Sequence, residues 1–232
     1  MSRPAARIAL AAVTTLLTTV PVVALTTSSA DAQPAGYGPS DPFDDALMGD
    51  SGPVEPMEDQ ARINRTDYGY LFIAGRQHSH LTITLVDGGL RFHDTGTRAW
   101  RSLANGCTAR PVVTGVAAVC RELSSNSASD PSLIEVHPRL GNDFVDGRTL
   151  PARYEMAVLA DSGIDTVFTG SGNDFVNGAN DVDRIHGGAG KDWIRGGRGN
   201  DRIWGDAGND YIVGQDGADT IRGGTGTNRI YS

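Results

Sequence analysis

From Ala160 to Tyr231 the chain can be written as eight rows of nine residues without an insertion: ADSGIDTVF, TGSGNDFVN, GANDVDRIH, GGAGKDWIR, GGRGNDRIW, GDAGNDYIV, GQDGADTIR and GGTGTNRIY. The sixth column holds Asp165, Asp174, Asp183, Asp192, Asp201, Asp210 and Asp219 and ends at Asn228. The eighth holds Val167, Val176, Ile185, Ile194, Ile203, Ile212, Ile221 and Ile230. No α-helix has a nine-residue period of this kind. Self-similarity at a fixed period means a small unit stacked on its neighbours, so these rows specify a solenoid.

The rows resemble the haemolysin-type, or RTX, nonapeptide repeat GGxGxDxUx, a calcium-binding β-helix repeat. The resemblance covers about the last third of the chain. It implies that six residues of each row form a turn and three a short strand, with two rows completing one coil of a parallel β-roll. Residues eighteen apart then stack at the inter-strand spacing of roughly 4.8 Å. Asp165, Asp183, Asp201 and Asp219 form one column, and Asp174, Asp192 and Asp210 form the other, closed by Asn228. Carboxylates stacked so closely repel one another. A hard divalent cation that takes six to eight oxygens at about 2.3 to 2.6 Å converts the repulsion into coordination. Calcium suits such turns better than magnesium, which demands a tighter octahedron, and zinc would look for His or Cys that the turns lack.

The glycines of the first column (Gly187, Gly196, Gly205, Gly214) and of the fourth (Gly163, Gly172, Gly190, Gly199, Gly208, Gly217) are expected to take positive φ and turn carbonyls toward the ion. Several calcium ions are thus expected to act as a structural cofactor, and without them residues 160 to 232 are expected to be largely disordered. Departures mark weaker places. Asp181 replaces a fourth-column glycine, Asn228 is neutral, and Ala160 and Thr169 replace first-column glycines, so the first two rows read as a transition into the regular roll.

The other end of the sequence bears on compartment. Arg3 and Arg7 precede an apolar run from Ile8 to Leu25, followed by Ala30, Asp31 and Ala32, the small-x-small pattern of a secretory signal peptide over residues 1 to 32. Thr residues and Pro21 interrupt the run, which speaks against a permanent membrane anchor. An N-terminal signal together with repeats that run to Tyr231 is more similar to small secreted bacterial proteins carrying these repeats than to exported RTX toxins. Extracellular modules with dissociation constants of about 10⁻⁴ to 10⁻³ M operate at extracellular calcium levels.

Residues 33 to 60 contain five Pro and seven acidic residues and no basic one, and read as a disordered acidic linker, with calcium collection as the other reading. Residues 61 to 159 read as β-rich. Leu81, Ile83 and Leu85 alternate, Asp87, Gly88 and Gly89 turn, and Leu90 and Phe92 resume, which is a hairpin. Cys107 and Cys120 are the only cysteines and in an exported chain form a disulfide. "RLGNDFVDG" repeats the motif's core, and the step from Asp143 to Asp165 is 22 residues, a coil of eighteen plus four inserted at "RTLPAR". Asp143 thereby extends the Asp165 column, and residues 61 to 159 form the roll's N-terminal cap; an independent domain is the alternative.

Catalytic signatures are missing: neither HExxH nor GxSxG occurs, and the chain is not expected to be an enzyme. His78, His80 and His93 could form a transition-metal site or simply lie on the surface, while His137 and His186 stand singly. With the eighth column inward, Phe175, Trp193 and Tyr211 stack as an exposed ladder ending at Arg229, and Phe168, His186, Trp204 and Arg222 as a second. Such rows stabilise a sheet, or dock sugar rings or a protein partner. A formal charge of −8 and a pI near 5.0 argue against nucleic acid. The sequence therefore points to an all-β, secreted, calcium-binding β-roll, with a calcium-dependent adhesin or polysaccharide-binding module as the runner-up.

Overall fold

A computed structural model describes residues 59–75, 78–123 and 126–232. The expected signal peptide, residues 1–32, and the expected linker as far as residue 58 lie outside the described residues. All regular structure within them is strand. The N-terminal part comprises β1 (Gln60–Arg65), β2 (Gly69–Ile73), β3 (His80–Val86), β4 (Gly89–Asp94), β5 (Ala99–Leu103), β6 (Cys107–Arg110) and β7 (Val116–Cys120). Next come β8 (Ser132–His137), β9 (Phe144–Asp146), β10 (Tyr154–Leu159) and β11 (Thr166–Phe168). The repeats continue through β12 (Phe175–Asn180), β13 (Arg184–His186), β14 (Ala189–Gly190), β15 (Trp193–Arg198) and β16 (Arg202–Trp204). Four strands close the chain: β17 (Ala207–Gly208), β18 (Tyr211–Asp216), β19 (Thr220–Arg222) and β20 (Arg229–Tyr231).

Two nine-stranded sheets face each other across one core. The first runs β20-β18-β15-β12-β10-β8-β2-β1-β5, and the second runs β19-β16-β13-β11-β9-β3-β4-β7-β6. Within the repeats every pairing is parallel and eighteen residues apart, as in Val176↔Ile194↔Ile212↔Ile230 and Val167↔Ile185↔Ile203↔Ile221. This is the parallel β-solenoid that the nine-residue period requires. A β-branched side chain every ninth residue fills the narrow space between the sheets, because Val and Ile are stiff and favour pleated backbone.

Upstream the same two sheets continue with other pairings. β9 pairs with β11 as Val145↔Val167, which sets Asp143 in the Asp165 column despite the 22-residue step. The extra residues sit in a turn at 147 to 150, where the Leu150 N–H donates to the Gly147 carbonyl at 2.9 Å and Leu150 itself is buried. β3 and β4 form the expected antiparallel hairpin, closing at Val86↔Gly89 with Gly88 at φ 95°. β4 pairs with β7, and β7 with β6, where Cys107 and Cys120 stand directly opposite and are disulfide-bonded. A single hydrophobic cluster runs from Ile63, Phe72 and Phe92 through Val145 and Val167 to Ile212.

Candidate metal centre

The sixth-column aspartates stand just before the strands, and their side chains turn into the corner between strand and turn. Asp143, Asp165, Asp174, Asp183, Asp192, Asp201 and Asp210 are each at most 3 % exposed. One oxygen of each is committed to a ladder. The backbone N–H of Asp165 donates to Asp183 Oδ1 (2.9 Å), that of Asp183 to Asp201 Oδ1 (2.8 Å), and that of Asp201 to Asp219 Oδ1 (2.9 Å). On the other side Met156 donates to Asp174 (2.6 Å), Asp174 to Asp192 (2.8 Å), Asp192 to Asp210 (3.1 Å) and Asp210 to the Asn228 side chain (2.9 Å).

The second oxygen carries the chemical information. Oδ2 of Asp143, Asp165, Asp183, Asp192, Asp201 and Asp210 is buried without a hydrogen-bond partner. A carboxylate oxygen withdrawn from water and left unpaired costs free energy unless a proton or a cation meets it. Burial pushes the carboxyl of Asp165 up to about 7 and those of Asp143 and Asp183 to about 8, with neighbouring carboxylates adding to the rise. For Asp192 burial acts first, and the charges of Asp174 and Asp210 push in the same direction.

The free oxygens of Asp183, Asp192, Asp201 and Asp210 each share their corner with a carbonyl. A Cβ built on Gly196 would lie 2.5 Å from Asp201 Oδ2 and 2.8 Å from the Gly214 carbonyl oxygen; on Gly187 it would lie 2.8 Å from Asp192 Oδ2 and 3.0 Å from the Gly205 oxygen. Two oxygens thus converge beside a first-column glycine with no donor between them, an arrangement suited to a hard cation. Among the described residues no three His, Cys, Asp or Glu side chains converge, so a cation in these turns would be held by carboxylate and backbone carbonyl oxygens together. The donor set fits calcium and does not fit zinc.

The glycine columns divide their work differently from the expectation of positive φ throughout. Fourth-column Gly163, Gly190, Gly199, Gly208 and Gly217 do lie at φ 123° to 154°, and Asp181 takes the left-handed region at 75°. Gly172 and first-column Gly187, Gly196, Gly205 and Gly214 do not have positive φ. What these first-column glycines supply is space, since a Cβ on any of the four would stand 2.2 to 2.8 Å from the aspartate of its own row. The second column is the unexpected one: Asp161, Ala179, Asp206 and Gln215 have φ between 65° and 79°.

Two further groups escaped the sequence reading. Fifth-column asparagines form their own ladder, with Asn173, Asn200 and Asn209 side chains accepting the N–H of Lys191 (2.9 Å), Ala218 (2.8 Å) and Thr227 (2.7 Å) one coil on. The recurring "ND" dipeptide was the available signal. Asp94, fully buried, ends the Asp143 column by accepting from Ser79 Oγ (3.1 Å), His80 N (2.8 Å), Gly96 N (2.9 Å) and Thr97 Oγ1 (2.5 Å). Ser79 fills the aspartate position there, donating its N–H to Asp143 Oδ1.

The histidines are not brought together. His78 Nδ1 accepts from Asn142 N at 2.6 Å, His80 stacks on Phe144 at 4.4 Å, and His93 Nε2 lies 3.2 Å from the Thr114 carbonyl. The aromatic ladders form but offer no open platform, which corrects the expected exposure. Phe175 and Trp193 are 1 % and 6 % exposed and Tyr211 is half-buried. Their rings meet edge to face at 5.4 and 6.0 Å, and Leu133, Ala157 and Leu159 pack with them. On the other sheet His186 lies nearly parallel between Phe168 (4.8 Å) and Trp204 (4.4 Å), with Asp206 on its Nδ1 at 2.9 Å. On this second sheet the stacked rings present edges to solvent and have few faces left for a sugar.

Residues 159–194, 177–212, 186–221 and 204–232 match the RTX calcium-binding nonapeptide repeat. No curated protein and no solved structure matches the chain.

Proposed function

We propose that this chain, whose residues 159–232 carry RTX calcium-binding nonapeptide repeats, is an exported protein whose roll folds around several calcium ions lodged in the turns between coils. The observation that carries this reading is the unpartnered, buried Oδ2 of Asp183, Asp192, Asp201 and Asp210 beside first-column glycines. When bound, calcium supplies the positive charge that these oxygens lack. The residues hold it in three ways. The sixth-column aspartates with a free Oδ2 would contribute one oxygen each, with Asp219 and Asn228 ending the two columns; first-column glycines keep the corner open; and the backbone ladder to Oδ1 fixes each carboxylate plane. Asp143 and Asp165 extend one column toward the cap.

Export is supported by the N-terminal pattern of Arg3, Arg7, the apolar run and Ala30-Asp31-Ala32, and by the Cys107–Cys120 disulfide, which persists in oxidising compartments. Residues 61 to 159 serve as the cap that a solenoid needs at its end. The adhesin reading loses support because Phe175 and Trp193 are buried.

The test is far-UV circular dichroism of residues 33–232 in EDTA, titrated with calcium and separately with magnesium. A gain of β-signal at sub-millimolar to millimolar calcium, absent with magnesium, is expected. A spectrum indifferent to calcium would overturn the proposal.

A further inference from the structure

The buried sixth-column carboxyl groups are not alike. Asp143, Asp165, Asp183, Asp192, Asp201 and Asp210 leave Oδ2 without a partner, and Asp174 does not. Its Oδ1 accepts from Met156 N at 2.6 Å, and its Oδ2 accepts from Gly170 N at 3.1 Å. The same turn also differs in the first column, where it carries Thr169, 1 % exposed, in place of glycine.

The Thr169 hydroxyl donates to the carbonyl oxygen of Gly187, the first-column residue one coil on, and also reaches the Asp174 carboxyl group. In the glycine turns the corresponding pairs are Asp192 Oδ2 with the Gly205 oxygen and Asp201 Oδ2 with the Gly214 oxygen, and the first-column residue puts no side chain into the space between them. In the Thr169 turn a hydroxyl fills that space. One coil upstream the aspartate position is held by Met156, so the Asp174 column has no sixth-column carboxylate on that side.

We propose that Thr169 is a built-in plug whose hydroxyl takes the place of calcium in the Asp174 turn, so that this turn folds without metal and closes the Asp174 column on the side of the cap. The inference rests on the calcium reading of the glycine turns. A hydroxyl offers the two oxygens one donor in place of a dication, weaker but permanently present. The plugged turn therefore gives the Asp192 and Asp210 turns stacked on it a metal-independent start to their column.

The experiment counts calcium ions per full chain by equilibrium dialysis and elemental analysis, at saturating calcium, for the wild type, Thr169→Gly, Asp174→Asn and Asp192→Asn. Thr169→Gly is expected to bind one ion more than the wild type, and Asp174→Asn to bind the same number, while Asp192→Asn loses one. An unchanged count in Thr169→Gly, or the loss of an ion in Asp174→Asn, overturns the plug. If Thr169→Gly fails to fold, the comparison of the two Asn variants decides alone. A wild type that binds no calcium removes the calcium reading itself, a failure visible before any variant is compared.

Discussion

A hydrogen atom in place of a methyl group at Gly196 leaves the corner that Asp201 Oδ2 and the Gly214 carbonyl share, because a Cβ there would stand 2.5 and 2.8 Å from them. Gly196→Ala is therefore expected to destabilise the calcium-loaded roll by about 1 to 3 kcal/mol, the cost of overpacking a filled site. Gln215→Gly should act in the opposite direction. Gln215 is exposed at φ 73°, a region that costs a side chain about 1 to 2 kcal/mol, and glycine returns part of that to unfolded-chain entropy. A net gain of roughly 0.5 to 1 kcal/mol should remain. Urea denaturation in saturating calcium measures both, and equal midpoints for the two variants would contradict the assignment of space to one column and backbone hand to the other. Protonation adds a second residue-scale effect. Burial raises the metal-free carboxyls of Asp165 to about 7 and Asp183 to about 8 from an ordinary value of 3.8. A folded value above the unfolded one contributes stability that is full below the unfolded value and is lost as pH rises through the folded one. In EDTA the chain should accordingly keep more β-signal at pH 5 than at pH 8. Calcium, which must displace those protons, should bind more tightly as pH rises from 6 to 8. Titrations at the two pH values check this, and an affinity that falls over the window would refute it.

At the scale of elements, β6 and β7 show how the cap's edge is secured. Cys107 and Cys120 are opposite residues of the antiparallel pair, thirteen apart in sequence, and β6 is the outermost strand of its sheet. Closing a loop of that size is worth about 3 kcal/mol. Cys107→Ser with Cys120→Ser should lower the denaturation midpoint of the cap while barely moving the calcium midpoint of the roll, since a solenoid transmits stability mainly between neighbours; both are read from one set of circular dichroism titrations. Elements also differ in how legible they were. The β3–β4 hairpin was readable because Leu81, Ile83, Leu85 and the Asp87-Gly88-Gly89 turn carry local signals, and the register of β11 to β20 because its period repeats. The docking of β8 between β2 and β10 had no such signal, because "SLIEVHP" contains nothing that names a distant partner. The second column's positive φ was hidden because Asp, Ala and Gln occupy it beside Gly. The exposure of Phe175 and Trp193 was misjudged for a related reason: alternation tells which way a side chain points and not what its neighbours cover.

Across the whole molecule apolar burial is uneven, and this sets the order in which it should come apart. In the cap Ile63, Tyr70, Phe72 and Phe92 are at most 1 % exposed, and Phe92 meets Tyr70 and Phe72 at ring distances of 6.3 Å. In the repeats each row buries one Val or Ile. At the last coil even that fails, with Ile221 half-buried and Ile230 45 % exposed. Calcium-independent stability therefore falls from the cap toward β20, whereas the need for charge neutralisation is spread along both aspartate columns. Removing calcium should unzip the roll from β19 and β20 back toward β12, leaving residues 59–137 protected, because each coil leans only on the next and the large buried rings of the shared core lie at the cap end. Hydrogen exchange followed by mass spectrometry in EDTA would show this as a gradient of protection along the chain that calcium levels out. Loss of protection in cap and roll together would mean that the single hydrophobic cluster from Ile63 to Ile212 binds the two into one cooperative unit, with calcium holding the whole of it.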